Sequence, residues 1–383
     1  MSSDFIVFGS PIIGPEEIEA VTETLRTCWL GTGPRTKEFE AKIAEYTGAQ
    51  YTIAVSSCTA ALHLSLAAHG IGPGDEVITT PMTFAATANS VVHTGATPVF
   101  VDCERDSLNI DPKGIEAAVT PKTKAILPVH FAGRAVAMDE ILAVAKAHDL
   151  VVIEDAAHAL ETRYKGRRIG ETGGSTSCLS FYVTKNITTA EGGMVLTNDE
   201  ALARKARVLS LHGLSADAWS RYSDGAPRHY EVVVPGYKYN LTDIASSIGL
   251  VQLRKAEEWL LRRDEIWARY DAGFAGLPLM TPAPVEPDTR HARHLYTVLV
   301  TDDAPVDRDG FRNGLHELGI GTGIHYAPLH RHPYYRDRFG YTDEQFPNAS
   351  FIGSRTFSLP FSPKLTDAEV DRIIAAVRKV AGA

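Results

Sequence analysis

The sequence contains few cysteines, and it lacks the common metal-binding patterns. Its 383 residues include four cysteines that stand far apart with no Cys-x-x-Cys pair, namely Cys28, Cys58, Cys103 and Cys178. This spacing favours neither a zinc site nor a disulfide framework, and it fits a reducing cytoplasm. No His-Glu-x-x-His arrangement of a zinc hydrolase is present either.

Excess positive charge and long apolar runs are also missing. Acidic residues outnumber basic ones, 47 to 38, which gives a formal net charge of -9. A general nucleic-acid binder needs a basic surface, so we expect no nucleic-acid partner. The N-terminus lacks the basic and apolar regions of a signal peptide, and no later run reaches membrane-spanning length. We therefore expect a soluble cytoplasmic protein without a membrane partner.

Two widespread phosphate-binding motifs are absent. No Gly-x-Gly-x-x-Gly follows a predicted strand, and Gly319, Gly321 and Gly323 have the wrong third spacing. A Gly-x-x-x-x-Gly-Lys loop is not found. The composition does not exclude a phosphorylated small molecule, but these two ways of binding one are excluded.

What is present is an alternation of strand and helix patterns over about residues 53–198. Runs that are apolar on both faces, such as 76–79 and 151–154, are typical of buried parallel strands, and amphipathic segments separate them. The pattern predicts an α/β layered sheet. A long helical pattern over about 243–274 precedes a proline-rich segment, and the remainder predicts a smaller α+β domain. We divide the chain into 1–253 and 254–383.

One lysine and one aspartate stand where pyridoxal phosphate chemistry needs them. Lys185 follows an alternating apolar segment, which predicts that a strand delivers it into a polar loop closed by Gly192 and Gly193. Asp155 ends the apolar run 151–154, at the strand edge where open α/β sheets bind ligands. The amine can hold the cofactor aldehyde, and the carboxylate can keep the pyridine nitrogen protonated. A solvated lysine and a helix-capping aspartate are the alternatives.

Further polar residues could complete such a cofactor site. Ser57, Cys58 and Thr59 precede an apolar helix, whose N-terminus can bind a phosphate or be capped in the ordinary way. Ser180 could add another hydroxyl. His158, three residues after Asp155, could contact the cofactor ring or could be a structural histidine.

These residues belong to ordered motifs that resemble the DegT/DnrJ/EryC1/StrS group of sugar aminotransferases. The motifs are Trp29–Pro34, Ser57–Leu62, Gly72–Ile78, Pro81–Phe84, Glu154–His158, and Lys185 with Glu191–Gly193. The resemblance runs through nearly the whole chain. It implies the fold type I of pyridoxal phosphate enzymes, in which a large domain has a mixed, mostly parallel sheet between helices and a smaller C-terminal domain is α+β.

The resemblance also implies roles for individual residues. Lys185 would hold pyridoxal 5'-phosphate (PLP), Asp155 would pair with its pyridine nitrogen, and Phe84 would stack on the ring face opposite His158. Backbone amides near Cys58 and Thr59, with Ser180, would hold the phosphate. The segment 236–243 looks like a dimer contact, in which Asn240 reaches the phosphate of the neighbouring subunit in a homodimer with shared active sites. Cys58 and His158 depart from the glycine and glutamine that many relatives carry.

Within the group, the segments 184–189, 211–213 and 321–326 look most similar to enzymes that aminate C4 of nucleotide-linked 4-keto sugars, such as those making 4-amino-4-deoxy-L-arabinose. The donor would be L-glutamate, released as 2-oxoglutarate while the cofactor passes through pyridoxamine phosphate (PMP). A nucleotide-linked 3-keto sugar or an inosose remains an alternative acceptor, and a dehydratase or a non-catalytic sensor is a further alternative. Candidate substrate contacts are Trp29, Thr32, His325, Tyr326 and His330, and candidate diphosphate contacts are Arg221, Arg228, Lys238 and His330.

Overall fold

Strands and helices alternate through the first half of the chain in a computed structural model that describes residues 5–215 and 231–383. Its strands are β1 Tyr51–Val55, β2 Glu76–Thr79, β3 Thr97–Phe100, β4 Thr123–Ile126, β5 Val151–Asp155, β6 Arg163–Tyr164, β7 Arg167–Arg168, β8 Thr176–Ser180, β9 Gly193–Thr197, β10 Leu279–Met280, β11 Tyr296–Val300 and β12 Thr356–Leu359. Its α-helices are α1 Pro15–Arg26, α2 Pro34–Thr47, α3 Cys58–Ala68, α4 Ala85–His93, α5 Pro112–Ile115, α6 Met138–Ala147, α7 Glu200–Ser210, α8 Asp243–Phe274, α9 Arg308–Glu317, α10 Pro333–Phe339, α11 Pro347–Arg355 and α12 Asp367–Val380.

The large sheet has the strand order β1-β9-β8-β5-β4-β2-β3. β9 pairs antiparallel with both of its neighbours, and the other adjacent strands pair parallel. Every residue of β9 and most residues of β5 and β8 are buried, as in a sheet covered on both faces. The α/β fold with a mixed, mostly parallel sheet is therefore confirmed.

A second sheet, β10-β11-β12, is antiparallel. Helices α9 and α12 pack with it around one apolar cluster that includes Tyr296, Phe311, Phe357, Ile373 and Val377. On α12 the buried positions Val370, Ile373 and Val377 recur at helical spacing, which explains why that face turns to the core.

Helix α8 joins the two parts of the molecule. It has 32 residues, which corresponds to roughly 48 Å, and Thr242 caps it by accepting the Ala245 N–H. It packs on α1 and α2, and its residues Tyr270 and Phe274 lie in the small-domain core. The division at residues 253/254 falls inside α8 and stays a prediction. Among the described residues, no helix is both long and apolar enough to cross a membrane.

Candidate active site

Lys185 lies in a turn and not at the end of a strand. β8 ends at Ser180, because the Lys185 N–H donates to the Tyr182 carbonyl over 2.9 Å and turns the chain away from the sheet. The Thr189 N–H then donates to the Phe181 carbonyl, also over 2.9 Å, and closes the loop. A strand does lead into the polar loop that carries Lys185, but it ends at Ser180, earlier than the alternation of apolar residues predicts.

The N-terminus of α3 contacts the chain at the start of β9. Ser57 caps the helix by accepting the Ala60 N–H over 3.0 Å. A Cβ atom on Gly193 would lie 2.4 Å from the Ser57 carbonyl and 2.6 Å from the Cys58 nitrogen, so only glycine permits this approach. The first-turn N–H groups at Cys58 and Thr59 have no acceptor within the helix, so they are free to donate to an anion.

Cys58 turns its side chain toward the sheet. Its Sγ donates to the Cys178 carbonyl over 3.4 Å, and burial raises the thiol pKa well above its ordinary value. The side chain is therefore an uncharged thiol, and it places no negative charge beside these N–H groups. An anion at the start of α3 would therefore meet the backbone N–H of Cys58 and not its thiol.

The carboxyl ends of β1, β2, β5 and β8 surround a cavity of about 500 Å³. The small domain closes one side of it with the segment that carries His325 and Tyr326. The predicted residues that line this cavity are Ser57, Cys58, Thr59, Phe84, Asp155, His158, Ser180, Lys185, His325 and Tyr326. Open α/β folds bind ligands at this edge of the sheet.

Burial acts on both central charged groups. It lowers the pKa of Lys185 from 10.5 to about 8, although Cys58 and Asp155 oppose that change. It raises the pKa of Asp155, opposed by hydrogen bonds from the Thr87 hydroxyl at 2.8 Å and the Ala157 N–H at 3.1 Å. Lys185 is thus a neutral amine far more often than a surface lysine at neutral pH.

His158 is held as a neutral imidazole. Burial keeps its pKa well below the ordinary value, and its Nδ1 accepts the Ala132 N–H over 3.2 Å. The remaining ring proton is consequently on Nε2, which lies 3.3 Å from the Tyr326 hydroxyl. His158 can donate to this hydroxyl, and the tyrosine keeps its own proton for a ligand.

A chain of buried polar side chains extends behind Lys185, and sequence reasoning missed it. Nδ1 of His294 lies 2.9 Å from Oδ1 of Asn186, whose Nδ2 donates to Glu161 over 2.7 Å. Glu161 also accepts from Arg263 of α8 over 2.5 Å, and both side chains of this ion pair are almost completely buried. Asn186 directly follows Lys185, so the ion pair fixes the loop that carries the lysine.

Comparison with known proteins decides the family. The model of the DegT/DnrJ/EryC1/StrS aminotransferase family matches residues 11–378. The chain belongs to this family. It is 52% identical over 379 residues to the spore coat polysaccharide biosynthesis protein SpsC of Bacillus subtilis, with 98% of this chain and 97% of SpsC covered. The protein is accordingly a PLP-dependent sugar aminotransferase.

Solved structures of the family match the described fold. The PMP form of Spr1654 from Streptococcus pneumoniae has a TM-score of 0.92 and 36% identity, with 99% of this chain and 98% of that chain covered. Its PLP form gives the same score and identity, with 99% of each chain covered. Helicobacter pylori PseC, an aminotransferase involved in the biosynthesis of pseudoaminic acid, has a TM-score of 0.91 and 30% identity, covering 99% of this chain and 100% of PseC.

The cavity residues fit the cofactor of this family. An amine of lowered pKa and a buried carboxylate line one cavity, and the N-terminus of α3 offers it free N–H groups. Phe84, the residue before α4, leaves 62% of its surface exposed at this cavity. Lys185 would hold the PLP aldehyde, Asp155 the pyridine nitrogen and α3 the phosphate. Bound PLP supplies an electron-withdrawing ring that stabilises negative charge on the substrate carbon.

Four predicted residues lie together away from this cavity. Trp29 Nε1 donates to the Thr32 carbonyl over 3.2 Å, and Asn240 Nδ2 donates to the Thr32 hydroxyl over 2.7 Å. Lys238 in turn donates to the Asn240 side chain. The four residues form one polar surface cluster, which we call the Asn240 cluster.

His330 is not brought to the cavity. Its Nε2 lies 3.0 Å from both Asp343 and Ser350, and its ring packs on Phe346. The side chain is almost completely buried by these contacts, which explains why it does not reach the cavity. Arg221 and Arg228, the other basic candidates, lie outside the described residues.

Proposed function

We propose that this aminotransferase moves the amino group of L-glutamate to C4 of a nucleotide-linked 4-keto sugar. One observation supports amino-group transfer in this cavity: the half-buried amine of Lys185 and the buried carboxylate of Asp155 both line it. The two substrates would bind in turn, glutamate leaving as 2-oxoglutarate before the keto sugar enters. Such a ping-pong scheme requires only one cavity for both.

Lys185 would carry the proton in both half-reactions. Among the described residues that line the cavity, it contributes the sole amine. Its pKa of about 8 lets Nζ take the proton from the substrate carbon and return it near neutral pH. Replacement by alanine or arginine should abolish turnover and leave the fold intact.

His325 and Tyr326 are proposed to contact the substrate. Burial lowers the pKa of His325 to about 4, so its imidazole is neutral, and its Nδ1 lies 2.9 Å from the Ser358 hydroxyl. With His158 donating to its oxygen, the Tyr326 hydroxyl can donate to a carboxylate or carbonyl oxygen of the substrate. SpsC belongs to spore coat polysaccharide biosynthesis and PseC to pseudoaminic acid biosynthesis, which supports a sugar acceptor.

A cytoplasmic homodimer is the proposed working form. In it, Asn240 of one subunit would contact the cofactor phosphate in the site of the other, together with Trp29 and Thr32 for the substrate. The position of the Asn240 cluster on the surface, outside the cavity of its own chain, supports this arrangement. The site of each subunit would be incomplete without the second copy.

A two-step absorbance experiment tests the substrate assignment. PLP-loaded protein is mixed with L-glutamate, and the PLP absorbance should fall to that of PMP and recover when a nucleotide-linked 4-keto sugar is added. The Lys185→Ala variant is the matched control and should show neither step. Recovery with a 3-keto sugar or an inosose alone would overturn the C4 assignment, and no response to glutamate would overturn the donor.

A further inference from the structure

The Asp155 carboxylate accepts hydrogen bonds on both oxygens. The Thr87 hydroxyl donates to Oδ2 over 2.8 Å, and the Ala157 N–H donates to Oδ1 over 3.1 Å. An ionised carboxylate can only accept, so the hydroxyl proton of Thr87 points at Asp155. Thr87 is fully buried and does not line the cavity, so it can act on a ligand only through this carboxylate.

A second hydroxyl supports the first. Thr83 Oγ1 and Thr87 Oγ1 lie 2.7 Å apart, and both threonines are buried. Because Thr87 directs its single proton to Asp155, Thr83 must donate in the bond between the two threonines. The protons therefore run in one direction, from Thr83 to Thr87 to Asp155, and each bond polarises the next.

One chain segment carries both a cavity-lining aromatic ring and the hydroxyl that contacts Asp155. Phe84 lies between the two threonines and presents its ring at the cavity, and the Thr87 N–H donates to its carbonyl over 3.2 Å as α4 begins. The start of α4 thus places the aromatic ring and the support of Asp155 together.

Among the groups around Asp155, Thr87 contributes most to keeping the carboxylate ionised. Burial disfavours the charged form of Asp155 and raises its pKa, and the Thr87 hydrogen bond is the largest of the effects that oppose this. Among residues 5–215 and 231–383, the other titratable groups with the largest interactions with this carboxylate are Cys58, His130, Cys178, Lys185 and Tyr326. The two thiols and the tyrosine have raised pKa values and are uncharged at neutral pH.

We propose that Thr87 is a positioning residue, which with Thr83 behind it holds Asp155 ionised and oriented so that the cofactor pyridine nitrogen stays protonated. This rests on the placement of that nitrogen against Asp155 proposed above. Without the Thr87 hydroxyl, the state with a neutral Asp155 carboxyl and an unprotonated ring nitrogen becomes more populated. A hydrogen bond to a charged group is strong enough to shift this proton-transfer equilibrium by about 10- to 100-fold.

Nitrogen-15 NMR of protein saturated with ring-labelled PLP tests the proposal directly, because the chemical shift reports whether the ring nitrogen carries a proton. In the Thr87→Val variant, which keeps the side-chain shape, we expect the ratio of protonated to unprotonated ring nitrogen at neutral pH to fall by about 10- to 100-fold, because the proton moves from the nitrogen to Asp155. Thr87→Ser keeps the hydroxyl and should titrate like the wild type. A Thr87→Val titration that matches the wild type would overturn the proposal, as would a Thr87→Ser titration that matches Thr87→Val.

Two further variants separate the possible failures. Thr79 is also fully buried and donates to the Leu127 carbonyl over 2.7 Å, so Thr79→Val loses a comparable hydrogen bond outside the site and should leave the titration unchanged. Asp155→Asn should abolish the protonated signal near neutral pH. If Asp155→Asn leaves that signal intact, the placement of the ring against Asp155 fails. If Asp155→Asn removes it and Thr87→Val does not shift it, the placement stands and the role of Thr87 is refuted.

Discussion

At the scale of single residues, burial moves Lys185 and Asp155 toward their neutral forms. For Lys185 the consequence is a reactive amine near neutral pH, because the pKa falls to about 8. For Asp155, burial alone would raise the pKa and favour the neutral carboxyl, and hydrogen bonds from Thr87 and Ala157 oppose this change. The charge of Asp155 therefore depends on Thr87, which lies outside the cavity, as well as on the residues that line it.

The lowered pKa of Lys185 predicts how fast the cofactor-free protein captures PLP at different pH values. The rate should rise about tenfold per pH unit up to about pH 8, where the amine becomes mostly neutral, and then level off. Stopped-flow absorbance between pH 6 and 10 measures this. The same cofactor reacting with a free lysine derivative is the control for ionisation of PLP itself. A rate that continues to rise to pH 10 would show that the lysine is not shifted.

At the scale of secondary-structure elements, the loop after β8 is fixed by α8. The Arg263–Glu161 ion pair joins that helix to the turn after β5, and Glu161 also binds Asn186 beside Lys185. Both ionic side chains are almost completely buried, so each depends on the other for its charge to be tolerated.

Removal of Glu161 should therefore be costly to stability. We expect Glu161→Ala to lower the free energy of unfolding by about 3–5 kcal/mol, because Arg263 remains buried without its partner. The matched control is Asp302→Ala, which breaks the exposed ion pair with Arg355 and should cost less than about 1 kcal/mol. Denaturant unfolding measures both. A loss below about 1 kcal/mol for Glu161→Ala would refute the structural role of the pair.

Prediction from sequence succeeded where neighbours along the chain determine the structure. The helix that begins after Ser57 and the buried strand that ends at Asp155 follow from local patterns, and both are present. The end of β8 was placed too late because the alternation of apolar residues continues past Ser180, whereas hydrogen bonds within the loop end the strand there.

Other parts of the site could not be predicted because folding joins distant segments. Arg263 and Glu161 are 102 residues apart, and His294 and Asn186 are 108 apart. Thr87 could have been identified from the sequence, because it stands four residues after Thr83 in the segment that contains the predicted site residue Phe84. A buried hydroxyl at that spacing can contact the preceding turn, but its second partner, Asp155, follows only from the sheet topology.

At the scale of the whole molecule, the proposed shared sites predict complementation between two inactive variants. Lys185→Ala and Asn240→Ala homodimers should each be impaired. A hybrid of the two contains one site with Lys185 from one subunit and Asn240 from the other, so it should recover up to about half of the wild-type activity. Co-expression with two affinity tags isolates the hybrid for assay. Hybrid activity no higher than that of the parents would show that Asn240 serves its own chain.

Borohydride reduction of the PLP-loaded protein, followed by digestion and mass spectrometry, identifies the lysine that holds the cofactor. The cavity geometry and the lowered pKa of Lys185 predict a single phosphopyridoxyl group on the peptide that contains Lys185. No such group should form in Lys185→Ala. Modification of another lysine, such as Lys238 in the Asn240 cluster, would contradict the assignment of this cavity as the active site.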